Sequence, residues 1–151
     1  MAFLTCHFQS ASLGRGVTFH AVIPGNSPKN LPTLYLLHGL GDDCSVWERK
    51  TSAERYAEER GLALILPDGG RSFYSDSGEG ADYFRYVCLE LVNYTRDLFP
   101  LSHDRERTFV GGNSMGGYGA VKCALTRPDM FGACFTMSGA LDIVSLVRNE
   151  P

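Results

Sequence analysis

Thr108-Phe109-Val110-Gly111-Gly112-Asn113-Ser114-Met115-Gly116-Gly117-Tyr118-Gly119 is the stretch on which the reading of this chain turns. Within it, Gly112 to Gly116 matches G-x-S-x-G, a turn that lifts a serine onto a tight strand-to-helix corner where bulky flanking side chains would clash. Chance alone supplies such a match in roughly 15% of chains with similar glycine and serine content, so context has to decide. Thr108-Phe109-Val110 reads as an apolar strand and Met115 to Leu125 as a helix, which is the setting the corner requires. Gly117 and Gly119 would let that helix approach the strands closely. Ser114 is therefore the candidate nucleophile, with a plain glycine-rich turn as the competing reading.

Upstream, strands and helices alternate. Phe3 to Phe8 and Val17 to Ile23 read as extended, the second with Val17, Phe19, Ala21 and Ile23 at alternate positions, and Gly14-Arg15-Gly16 suggests a hairpin between them. Pro24-Gly25-Asn26-Ser27-Pro28 is a polar turn. Leu34-Tyr35-Leu36-Leu37 and Leu62-Ala63-Leu64-Ile65-Leu66 are apolar on both faces, as strands in the middle of a covered sheet should be. Between them Thr51-Ser52-Ala53-Glu54 has the spacing of a capping box, and Gly61 marks the helix stop. From Asp82 to Phe99, the positions Tyr83, Tyr86, Val87, Leu91, Tyr94 and Leu98 return mostly at three- and four-residue steps, which predicts an amphipathic helix ended by Pro100. Ala133 to Met137 reads as a further strand. The fold class this predicts is α/β, with a mostly parallel sheet flanked by helices.

His38-Gly39-Leu40-Gly41 follows the first of the buried strands directly. Where a serine sits on such a corner, this loop supplies one backbone N–H to the oxyanion hole and the residue after the serine supplies the other; here these are Leu40 and Met115. A donor aimed at the developing oxyanion lowers the barrier by about 2.7 to 4 kcal/mol. The competing reading is that Gly39 and Gly41 only turn the chain, or that a neighbour donates.

The bulk properties narrow the rest. A chain of 151 residues with 44% apolar content holds enough material for one ordinary core. Its net charge of -3 is spread along the chain, so neither nucleic acid nor a membrane surface is an expected partner. Five cysteines without a CxxC pair point to reduced thiols, and no signal-peptide or membrane-spanning run is present, so the expected location is cytoplasmic. Asp42 and Asp43 beside the glycine loop read as solvated acids in preference to cation ligands, and no metal is expected. Trp47, Tyr74 and Tyr83 could line an acyl or alcohol pocket or simply pack. The sequence leaves a homo-oligomer open.

Four segments together carry a resemblance: LYLLHGLGDDCSVW from Leu34, RYAEERGLALILPDGGRSFYSD from Arg55, LFPLSHDRERTFVGGNSMGGYGA from Leu98 and MSGALDI from Met137. In this order they resemble the bacterial tributyrin esterase family within the esterase D group. The resemblance implies an α/β-hydrolase fold, hydrolysis of short-chain carboxylic esters as small-molecule substrates, a Ser-Asp-His triad and no cofactor. Leu89 and Val92 depart from it, falling where similar sequences often carry an acid and a proline.

A serine hydroxyl needs a base to take its proton, and in this fold the acid and then the histidine follow the serine in the chain. None of the four histidines, His7, His20, His38 and His103, follows Ser114. Asp142 does, yet similar sequences place the acid later. Val147-Arg148-Asn149-Glu150-Pro151 reads as a polar end with no strand or helix after it. The expectation is that residues 1–151 are the N-terminal portion of a single α/β-hydrolase domain, with on the order of 100 further residues carrying the acid and the base. Residues 1–151 alone should then be inactive. An S-formylglutathione hydrolase is the nearest rival enzyme, and a truncated, non-catalytic homologue is the alternative of a different kind.

Overall fold

Period-two alternation on one strand and unbroken apolar runs on two others call for a sheet covered on both faces in its middle, and that is the arrangement found. The computed structural model describes residues 1–25, 29–78 and 80–149. Its strands are β1 (Ala2–Ser10), β2 (Arg15–Ile23), β3 (Thr33–Leu37), β4 (Ala63–Pro67), β5 (Thr108–Asn113) and β6 (Ala133–Met137). They form one sheet in the order β1-β2-β4-β3-β5-β6. β1 pairs antiparallel with β2 and β2 with β4, while β4, β3, β5 and β6 run parallel.

Alternate residues of the central strands feed two separate cores. Phe19, Ala21, Tyr35, Leu37, Ile65 and Val110 face the larger one. Over it lie α5 (Met115–Thr126) and a long helix composed of α3 (Tyr83–Arg85), a π-helical turn (Tyr86–Glu90) and α4 (Leu91–Leu98). Val22, Leu36, Leu64 and Leu66 face the smaller core, closed by Trp47 of α1 (Val46–Lys50) and Ala57 of α2 (Ala53–Arg60). The connection from β3 runs toward β4, and the one from β5 runs the opposite way to β6. The carboxyl ends of the neighbouring strands β3 and β5 therefore bound a crevice at a topological switch point, where open α/β sheets bind ligands. All five residues of β6, the edge strand, are exposed.

Several expectations are corrected. Arg15 and Gly16 already belong to β2, and the hairpin turns at residues 11–14 with Gly14 at φ 60°. The Thr51/Glu54 capping box does not form: Thr51 Oγ1 donates to the Trp47 carbonyl and accepts from the Ala53 N–H at 3.1 Å. The reason is α1, one helical turn directly upstream, which engages the Thr51 hydroxyl and leaves Ser52 at the N-cap of α2. Gly61 ends α2 in the left-handed conformation, as expected.

In the long helix, the π turn inserts an extra residue and shifts the phase of everything after it. Leu98 consequently lies 52% exposed, while Val92 and Thr95 are fully buried. Thr95 satisfies its hydroxyl by donating to the Leu91 carbonyl at 2.7 Å and meeting Tyr35 Oη at 2.8 Å. The departures at Leu89 and Val92 are absorbed, since both pack into the larger core. The same turn aims Glu90 at the β1–β2 turn, where it accepts from Ser10 Oγ at 2.7 Å and from the Ala11 and Ser12 amides at 2.6 and 3.1 Å.

A further helix, α6 (Ile143–Asn149), stands where only a polar end was expected. Asp142 begins it by accepting from the Ser145 amide at 2.9 Å and the Ser145 hydroxyl at 2.7 Å, so this carboxylate serves as a helix cap. Asn26, Ser27 and Pro28 of the polar turn, and Glu150 and Pro151, lie outside the described residues.

Candidate active site

β5 ends at Asn113 and α5 starts at Met115, so Ser114 alone makes the corner. Its backbone sits at φ 53° and ψ -116°, a region that costs a non-glycine residue of order 1–3 kcal/mol and persists only where the surroundings enforce it. They do so here on three sides. The Ser114 N–H donates to the Met137 carbonyl at 2.9 Å, and the Ser114 carbonyl accepts from the Tyr118 and Ala140 amides at 3.1 and 3.2 Å. Ser114 remains half-buried, and its hydroxyl makes no side-chain hydrogen bond among the described residues. The side chain is neither sealed in the core nor committed to a structural partner.

The glycines of the motif bring the two loops together. A Cβ on Gly116 would lie 2.7 Å from the His38 carbonyl oxygen and closer still to the Leu37 carbonyl, and one on Gly112 would strike the Gly116 backbone. A Cβ on Gly39 would already be 3.4 Å from Asn113 Nδ2. The loop after β3 thus lies directly against the elbow after β5, at the switch point of the sheet. Gly41 sits at φ 85°, a conformation in which glycine is at no steric disadvantage. Among the described residues, neither the Leu40 nor the Met115 N–H donates to a carbonyl of the loops and caps. The side chains differ in setting: Leu40 is exposed and Met115 is fully buried, which leaves the backbone amide as the group Met115 can offer.

Among the described residues no histidine ring is hydrogen-bonded to Ser114. His7 and His20 sit on β1 and β2, across the sheet, where His7 Nδ1 meets Thr18 Oγ1 at 2.9 Å and His20 Nδ1 meets Glu48 Oε1 at 2.6 Å. His103 precedes the amino end of β5, a strand about 20 Å long, with Ser114 at the other end. His38 is fully buried with both ring nitrogens bonded to backbone groups.

Of the three candidate pocket aromatics, the structure brings only Trp47 to the crevice. With Gly39, Asp42, Asn113 and Met137 it lines a cleft of about 350 Å³. Tyr74 is buried in the larger core, and Tyr83 packs against that core and accepts from Arg15 Nη2 at 2.7 Å. Asp42 takes Lys50 Nζ at 3.0 Å, and Asp43 closes a turn by accepting from the Ser45 amide at 2.8 Å and hydroxyl at 2.6 Å. The hydrogen bonds from Ser45 hold the Asp43 carboxyl below its ordinary range. Sequence reasoning missed Lys50 and Thr51 as cleft residues, because the short α1 that presents them has no periodic signature.

Residues 10–147 match the model of the Esterase family, described as "Putative esterase". An acetyl esterase of Caldicellulosiruptor saccharolyticus is 36% identical over an alignment covering 95% of this chain and 58% of that protein. An S-formylglutathione hydrolase of Paracoccus denitrificans (strain Pd 1222) is 33% identical, covering 82% of this chain and 52% of its own length. Among solved structures, the fluorophosphonate-binding serine hydrolase FphF of Staphylococcus aureus, in a substrate-bound form, superposes with a TM-score of 0.92 at 35% identity, over 99% of this chain and 62% of that one. The chain therefore spans roughly 52% to 62% of the length of these relatives. The fold is the α/β-hydrolase fold, and by sequence the chain belongs to the Esterase family.

Proposed function

We propose that this chain carries the nucleophile and the oxyanion hole of a serine esterase that hydrolyses short-chain acyl esters, as in the tributyrin esterase group. The observation that carries the reading is Ser114, strained at φ 53° on the strand-to-helix corner between Asn113 and Gly116, which lie against the loop after β3. Ser114 Oγ attacks the ester carbonyl carbon and loses its proton to a histidine base. The Leu40 and Met115 amides hold the negative oxygen, and the alcohol leaves with that proton. Water then hydrolyses the acyl-enzyme and frees the acid. The base and the acid that orients it come from residues outside 1–151. Supporting this are the greater length of the relatives and the partners of the histidines, whose rings make no hydrogen bond to Ser114 among the described residues.

A thioester-hydrolysing reading is favoured by the relatives named S-formylglutathione hydrolase, that of Paracoccus denitrificans at 33% identity and a solved structure from Staphylococcus aureus at 36% identity with a TM-score of 0.90. The two share the covalent step and differ in the leaving group. Turnover of a panel of acetyl, butyryl and longer oxygen esters, set against S-acyl glutathiones, separates them in the full-length protein. Preference for short oxygen esters, abolished by Ser114→Ala, is the expected result. Preference for the thioesters moves the substrate class, and no Ser114-dependent turnover of either sinks the enzyme reading. Residues 1–151 alone are expected to give no turnover above the Ser114→Ala background.

A further inference from the structure

An amide in a loop between two glycines has no stiffness of its own, yet an oxyanion donor acts by being fixed in place before the charge develops. The rigidity of the 38–41 loop must come from its neighbours. His38 is fully buried, and the Gly69 N–H donates to its Nε2 at 2.8 Å. That nitrogen therefore holds the lone pair, the ring proton is on Nδ1, and Nδ1–H donates to the Gly39 carbonyl at 2.8 Å. Asp68 Oδ1, 3.6 Å from Nε2, lies beyond hydrogen-bond reach.

From the same side, the Tyr74 hydroxyl donates to the His38 carbonyl at 3.0 Å. That carbonyl also lies against Gly116, where a Cβ would come within 2.7 Å of it. One peptide group of the loop is thus held between the elbow helix and the Tyr74 phenol. Tyr74 is itself locked. Its ring fills the space that a Cβ on Gly69 or Gly119 would occupy, and burial keeps the phenol protonated by raising its pKa well above the ordinary value. The turn that delivers it places two consecutive non-glycine residues in the left-handed region, Phe73 at φ 50° and Tyr74 at φ 48°. Ser72 closes this turn by donating to the Gly69 carbonyl at 2.7 Å and accepting from the Tyr74 amide at 2.9 Å. Strain of this kind persists where it is over-determined, and it clusters at sites whose geometry matters.

We infer that His38 and Tyr74 are positioning residues that tie the oxyanion loop to the turn after β4 and so aim the Leu40 N–H; this rests on the esterase reading above. Neither side chain is hydrogen-bonded to Ser114 among the described residues, and neither takes part in proton transfer. Tyr74→Phe removes the hydroxyl and keeps the ring between Gly69 and Gly119. In the full-length protein, kcat on an acetyl ester, counted per serine titrated with a fluorophosphonate, is expected to fall about tenfold with KM changed by less than about twofold. Affinity for a short alkyl boronic acid, whose tetrahedral adduct places an anionic oxygen in the hole, should weaken by a similar factor. His38→Gln, which keeps an acceptor toward Gly69 and loses the Nδ1 donor, should act in the same direction. A role in packing alone would lower the melting temperature and the titratable fraction, while kcat per titrated serine and boronic acid affinity stayed unchanged. That outcome overturns the inference. Absence of Ser114-dependent turnover in the unaltered protein would instead remove the esterase reading, and the inference with it.

Discussion

Gly116→Ala tests the packing that holds the site together. On an open helix face, replacing glycine by alanine gains about 1 kcal/mol, because the unfolded chain loses less backbone freedom. At Gly116 the added methyl would meet the Leu37 carbonyl and lie 2.7 Å from the His38 carbonyl oxygen. These are backbone atoms, Leu37 standing opposite Gly112 of β5 at the end of a central strand and the His38 carbonyl accepting from the Tyr74 hydroxyl, and they cannot swing away. Overpacking a tight interior costs roughly 1–3 kcal/mol, and an obstruction made of backbone belongs at the upper end. Subtracting the helix gain leaves a net loss of about 2 kcal/mol, or about 4–8 °C in melting temperature for a domain of this size. Gly111→Ala is the control. The obstacle there is the ring of Phe135, a side chain 41% exposed on the edge strand, which is free to rotate into solvent. That variant should stay within about 1 kcal/mol of the unaltered chain. Thermal unfolding followed by circular dichroism reads both. A Gly116→Ala protein as stable as its parent, or more stable, would refute the reasoning that the two loops are in backbone contact.

Two further outcomes follow from the geometry. Burial pushes the Glu90 carboxyl up, but the hydrogen bonds from Ser10, Ser12 and Ala11 outweigh it and hold the group below its ordinary 4.5. A depressed carboxyl stabilises the fold above that ordinary value and loses the contribution as pH falls through the folded-state value. Glu90→Gln should therefore cost about 1 kcal/mol at pH 7, with the difference from the parent closing below about pH 4.5, as denaturant melts across pH would show. A gap that persisted unchanged at pH 3 would contradict the charge assignment. Trp47, the chain's single tryptophan, lines the cleft beside Gly39 and Asn113, so a short-chain carboxylic acid bound there should alter its fluorescence. Titration with butyrate is expected to give a saturable change in the full-length protein that is absent from Trp47→Phe; no Trp47-dependent change at saturating butyrate would place the acyl group elsewhere.

Much of this could be read from residues because the central strands are defined by what they bury. Leu34–Leu37 and the run ending at Leu66 are apolar on both faces, and each is covered by a different core on each side. The elbow was legible for a related reason: Gly112, Ser114 and Gly116 are fixed by backbone approach, which leaves a spaced signature in sequence. Features that depend on a neighbour left none. The phase shift in the long helix arises at Tyr86–Glu90, whose residue types do not distinguish a π turn from an α turn, and it turned Leu98 outward and Thr95 inward. Thr51 carries a sound capping pattern that lost to a competing acceptor, the Trp47 carbonyl of a helix too short to show periodicity. Asp142, attractive as an acid by chain order, is occupied in starting α6. The tie between Tyr74 and His38 joins residues 36 apart in sequence and is visible only once β4 and β3 lie side by side.

One measurement addresses the reactivity of Ser114 directly. The full-length protein is treated with a fluorophosphonate, digested and mapped by mass spectrometry. A single phosphonyl adduct on the peptide holding Gly112 to Gly116, absent after Ser114→Ala, is the predicted result. A protein that takes up no label, or takes it at another serine, would contradict the claim that this strained corner is a nucleophile.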